Sequence, residues 1–165
     1  MRKRSTLTYN ILLPIWLLVW FPTWLWLILI PANYLIDRIV LHLSLGDMED
    51  RGVFCRHNTW RICVAGFLSD FVGSVLLIAA MVLIESFPGA HDLGYALTLN
   101  PFAHIGALAI TIVAIAVAGL LIFKLDSWLL GNAGLDPERA RTAALRLAIL
   151  TAPYLFLFPA GLLYG

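Results

Sequence analysis

The stretch Trp20–Arg38, WFPTWLWLILIPANYLIDR, decides how many times this chain enters a membrane. It belongs to an apolar block, Ile11–Ile36, hydrophobic enough to cross one, yet Pro22 stands near the middle of that block and Pro31 near its end. A proline removes a backbone donor and crowds the preceding turn. Pro22 divides the apolar block Ile11–Ile36 into arms of about a dozen residues, each reaching roughly 18 Å, short of a hydrocarbon layer of about 30 Å. Two readings follow. In one, the block is a half-depth hairpin that enters and leaves by the same face; in the other it is a single kinked span, since membrane helices tolerate proline.

The rest of the chain sets the context. Of 165 residues, 61% are apolar and 13% charged, with a mean hydropathy of +0.89. These values lie outside the range of soluble domains and identify an integral membrane protein. The composition predicts an all-α polytopic membrane helix bundle: three full transmembrane helices plus the N-terminal proline-broken hairpin or kinked fourth span. One integral membrane domain fills residues 1–165, with the broken segment at about 9–45 and transmembrane helices at about 61–86, 101–125 and 136–163. No loop is long enough to house a separate enzyme. A net charge of +1, with basic residues scattered and locally balanced, points to no nucleic-acid partner. A cleaved signal peptide is the least favoured reading of the N-terminal region, because no small-residue cleavage pattern follows the apolar run.

Helix ends carry their own chemistry. Asn100 before Pro101 reads as a cap that opens the third helix, and Asp136 before Pro137 and Glu138 repeats the pattern for the fourth. Pro153 should kink that fourth helix near its middle.

Positive charge then tests the topology, because Lys and Arg favour cytoplasmic loops. Arg2, Lys3 and Arg4 lie in the tail; Arg38, Arg51, Arg56 and Arg61 lie between the first two blocks; Lys124, Arg139, Arg141 and Arg146 lie between the last two. The connection between the second and third blocks holds none. A hairpin puts all of them on one face, and four spans strand the tail on the other, which favours the hairpin slightly. Pro31 then starts an interfacial amphipathic segment, with Ile36, Ile39, Val40 and Leu43 on one face and Asn33, Asp37, Arg38 and His42 on the other. Trp16, Trp20, Trp24 and Trp26 suit an anchor at headgroup depth. The basic loops are expected in the cytoplasm, and the membrane expected is the bacterial inner membrane. The chain resembles small multi-spanning bacterial membrane proteins in general style, and no motif ties it to a named family.

Polar groups within apolar blocks are costly and often functional. Asp70, in GFLSDFVGS, is the clearest. Gly66 and Gly73 flank it at helical spacing, with Ser69 and Ser74 alongside, so it should face protein. Lys124 is the first candidate for an ion pair with Asp70 and Arg38 the second, with Asp37 leaving the first block at the same depth. A second packing stripe on the third helix runs through Ala107, Thr111, Ala114 and Ala118.

Other clusters are weaker. Glu85, His91, Asp92, Asn100 and His104 match no metal-ligand spacing, and His104 is expected to satisfy a neighbouring carbonyl. The loop from Asp47 to His57 gathers Asp47, Glu49, Asp50, Arg51, Cys55 and Arg56, which reads as a solvated, self-paired turn touching anionic lipid. Cys55 and Cys63 form no CxxC pair and are expected as free thiols. No cofactor or metal is implied. The partners expected are membrane lipids, with a homo-oligomer or another membrane protein as further candidates. Two functions from different classes fit: a transport or channel protomer with Asp70 on a polar path, or a non-catalytic accessory or scaffold subunit with Asp70 locked in an ion pair. An interfacial lipid-modifying enzyme built on the Asp47–His57 loop is a distant third.

Overall fold

The computed structural model describes residues 26–163, and every structural statement below concerns these residues. They form an all-α bundle: α1 Trp26–Ser44, α2 Arg51–Glu85, α3 His91–Leu99, α4 Ile105–Asn132 and α5 Pro137–Thr151, with no strands among the described residues. Short 3-10 turns cover Pro101–Ala103, Tyr154–Leu157 and Ala160–Leu163. Helices α1, α2 and α4, and Pro137–Leu157 taken together, are long and apolar enough to cross a membrane.

Helix α4 is the central element, packed on α2 and α5, while α1 lies against α2 and α5. One core fills the end near the connections 45–50 and 133–136, with Leu41, Leu45, Ile62, Ile122, Leu130 and Leu147. A second fills the opposite end, where Leu77, Leu97, Ala107, Ala114, Ile115 and Phe156 meet. The small residues of α4 allow close approach: a Cβ placed on Gly73 would stand 3.0 Å from a ring carbon of Phe156 and 3.3 Å from the Ala118 Cβ.

Element boundaries differ from the sequence expectation: a short helix, α3, stands in the connection before α4, and α4 runs to Asn132, past the expected 125. Helix α2 begins at Arg51, ten residues before the expected 61, because Cys55, Asn58, Thr59 and Ile62 form a buried stripe while Arg56, His57 and Arg61 face out. Asn100 caps the 3-10 turn, its side-chain oxygen accepting from the Phe102 N–H at 3.1 Å. Helix α4 starts later and is capped by His104, whose Nδ1 accepts from the Gly106 N–H at 3.0 Å. Pro153 ends α5 outright. It supplies no N–H to the Ile149 carbonyl four residues earlier, and the Tyr154 hydroxyl donates to that oxygen at 2.6 Å. Ala152, pushed to an extended conformation ahead of the proline, has ψ 152°.

The region of the expected hairpin lies largely outside the described residues. Within them, α1 runs unbroken through Pro31. Its apolar residues Leu35, Ile36, Ile39 and Leu43 are exposed, and Asp37, Val40 and Leu41 are buried. The expected division of faces is kept except at Val40, which is buried with Asp37, and a helix with its acid turned into the bundle and its leucines turned out is dressed for lipid on that face.

Candidate functional site

Aspartates from three helices turn into the bundle, with Asp37 within electrostatic reach of both Asp70 and Asp126. Asp37 of α1 is 5% exposed and Asp126 of α4 is 0% exposed. Asp70 of α2 sits seven residues beyond Cys63, about 10 Å further along the helix. The Cys63 thiol hydrogen-bonds the Asp37 carboxylate. Asp37 in turn lies close enough to interact electrostatically with both Asp70 and Asp126. The acids thus form a chain centred on Asp37, with Asp70 the member furthest along α2 from Cys63.

Their surroundings offer little compensation. Both carboxylate oxygens of Asp126, Oδ1 of Asp70 and the Ser127 hydroxyl are buried with no hydrogen-bond partner among the described residues. Neither expected ion pair forms. Lys124 is exposed, because two residues along a helix is a rotation of roughly 200°, and with Asp126 turned inward Lys124 must point out. Arg38 turns back along its own helix and donates to the Tyr34 hydroxyl at 3.4 Å.

Asp70 faces open space. A cavity of about 130 Å³ is lined by Asn33, Asp37, Cys63, Gly66, Asp70 and Thr151, among others. A second, of about 170 Å³, continues past Asp70 toward Trp26, Pro153, Tyr154 and Phe156. Asn33, Phe67, Asp70, Thr151 and Ala152 belong to both. The Trp26 and Phe67 rings stack at 6.0 Å along the second cavity. The break in α5 supplies the opposite wall. The last carbonyls of a helix have no intrahelical donors and carry the negative end of its dipole, and the last residues of α5, Leu150 and Thr151, line the cavity.

The chain matches no family model, no curated protein and no solved structure. Function must therefore be argued from the site itself.

Of the remaining residues named from sequence, Ser69 and Ser74 are buried and donate to carbonyls of their own helix, Ala65 and Phe71, at 2.8 Å each. Neither lines the two cavities at Asp70. Gly66 lines one of them, and a Cβ there would meet nothing within 4 Å, so it opens space beside Asp70 and brings no helix close. Ala107, Thr111, Ala114 and Ala118 are all buried on one face of α4. That stripe, continued by one turn at a time through Ile122, arrives at Asp126, a signal present in the sequence but not followed there. Asn33 and Thr151 were likewise missed as lining residues. In the 45–50 connection and the first turns of α2, Asp47, Glu49, Asp50, Arg56 and His57 are exposed, and Arg51 donates to the Gly46 carbonyl at 2.8 Å. No group of three His, Cys, Asp or Glu among the described residues is placed to hold a metal ion. Cys55 and Cys63 are free thiols, both buried inside α2.

Proposed function

We propose that this protein is a small membrane transport or channel protomer in which Asp70 carries protons or small monovalent cations along a polar path through the bundle. The observation that supports this reading is the position of Asp70 where two cavities join, its Oδ1 unpartnered and no cationic side chain paired with it among the described residues. A carboxylate within a membrane is expensive, and an aspartate with no fixed counter-charge is free to take up and release a cation. Asp37 lines one of those cavities beside Asp70, and the end of α5 at Thr151 and Ala152 lines both. Half-helix ends and unwound backbone beside an acid recur where membrane proteins bind cations. Except for those of Arg2, Lys3 and Arg4, all Lys and Arg side chains belong to the end near residues 45–50, which by the charge bias of membrane proteins faces the cytoplasm.

Purified protein in proteoliposomes loaded with a pH-sensitive dye tests the reading under imposed proton, sodium and potassium gradients. Wild type should dissipate at least one gradient. Asp70→Asn should slow that flux by roughly tenfold or more, as expected when the carboxylate where the two cavities join is lost. Asp92→Asn, in an exposed position on α3, should leave it intact. Equal flux in wild type and Asp70→Asn overturns the proposal.

A second reading has its own support. The open space beside Gly66 would admit a basic side chain from another membrane protein, making this chain an accessory subunit whose acids wait for a partner's cation. It predicts no flux from the isolated chain and an Asp70-dependent complex.

A further inference from the structure

On the outer surface where α2 and α4 cross, away from the aspartates, lies a groove of about 420 Å³ lined by Trp60, Arg61, Val64, Leu68, Leu125 and Trp128, among others. Trp60 and Trp128 are 60% and 65% exposed. Arg61 is exposed, and so is Lys124, one residue before Leu125 and one turn before Trp128. Neither basic side chain makes a hydrogen bond or ion pair with another described residue, and no acid lines the groove.

The depth of these groups is set by the sequence on either side. From Ile62 to Ile84, Asp70 is the sole charged residue of α2, and from Ile105 to Phe123 α4 has none. Arg61 and Lys124 therefore close the two apolar runs at the same end, where hydrocarbon gives way to headgroups, and the tryptophans beside them occupy the position favoured by amphipathic rings. Apolar walls below and two uncompensated cations above call for a ligand with a hydrocarbon chain and a negative head.

We propose that this groove is a binding site for an anionic phospholipid, with one acyl chain along Val64, Leu68 and Leu125 and the headgroup phosphate held by Arg61, Lys124 adding a second positive charge. Basic pockets between membrane helices on the positive side recognise such headgroups, and each cation near the surface contributes enough to favour an anionic over a neutral lipid severalfold. The site is independent of the path through Asp70.

Native mass spectrometry of the full chain in detergent, with phosphatidylglycerol or phosphatidylcholine of identical acyl chains added, reads the preference directly. Wild type should retain one phosphatidylglycerol molecule roughly tenfold or more tightly than phosphatidylcholine. Combined Arg61→Gln and Lys124→Gln should erase the difference, whereas combined Arg139→Gln and Arg141→Gln, two exposed charges outside the groove, should preserve it. Equal retention of both lipids by wild type, or equal loss in both double variants, means annular lipid only and overturns the site. Quenching of tryptophan fluorescence by acyl-brominated lipids in nanodiscs is the second measurement. Brominated phosphatidylglycerol should quench more than brominated phosphatidylcholine, and the excess should vanish in Trp60→Phe/Trp128→Phe; no excess in wild type also overturns the proposal.

Discussion

At the scale of single residues, two positions on α4 show what burial demands. Lys124 and Asp126 read naturally as a boundary pair in the sequence, but the helix sends one to the surface and the other inward. With both oxygens unpartnered, Asp126 carries a penalty of at least about 1–3 kcal/mol, the typical cost of a buried polar group left unmet. Asp126→Leu would extend the stripe of Ile122 and Leu130 and should raise the unfolding midpoint in detergent, since replacing unmet buried charge by apolar packing is often stabilising. A lower midpoint would reveal a cation that reaches Asp126 in the intact protein. The glycines of α2 offer a paired test. Gly73→Leu forces atoms into Phe156, Ala118 and the Ala114 carbonyl and should destabilise by about 1–3 kcal/mol. Gly66→Ala meets nothing and should be neutral or stabilise by up to about 1 kcal/mol through helix propensity. Thermal unfolding of the two variants side by side checks the contrast.

At the scale of elements, local chemistry was legible and tertiary context was not. Asp136 is read from sequence as a cap, and its carboxylate accepts from the N–H groups of Glu138 and Arg139 at 3.1 and 3.4 Å. Capping depends on a few adjacent atoms, so a short motif suffices. The start of α2 depends instead on which face is buried, and hydropathy alone cannot tell a helix with an arginine face from a loop. Pro153 is intermediate: a disturbance was readable, but whether it bends or ends α5 depended on the Tyr154 hydroxyl replacing the missing donor. Pro153→Ala restores an N–H that can reclaim the Ile149 carbonyl. It should lengthen α5, raise the helical circular dichroism signal, narrow the cavity at Asp70 and reduce flux severalfold without loss of stability. Greater helicity with unchanged flux would remove the break from the transport path.

At the scale of the whole molecule, the surrounding solvent decided what one hydrophobic pattern meant. The division of residues 31–43 into an apolar and a polar face was visible in the sequence, but a segment lying at an interface and a helix spanning lipid share that division. Asp37 is buried against α2 and α5 while Ile36, Ile39 and Leu43 face outward, an arrangement that suits lipid on the outer side of α1. Charge counting weighs loops and does not register which side of a helix its neighbours cover. The path order of α2, α4 and α5 through the bundle places the connections 45–50 and 133–136 at one end and residues 86–104 at the other. In a background lacking Cys55 and Cys63, single cysteines at the exposed positions Glu49 and Glu138 should therefore react with an impermeant thiol reagent from the same side of sealed vesicles. A cysteine at Asp92 should react only from the other. If the first side is the cytoplasmic one, as the proposed orientation has it, Asp92→Cys should label in intact cells while Glu49→Cys and Glu138→Cys stay protected until the membrane is permeabilised. Labelling of Glu49→Cys and Glu138→Cys from opposite faces would mean that α2 and α4 do not both cross, and a path through Asp70 across the membrane would fall with that topology.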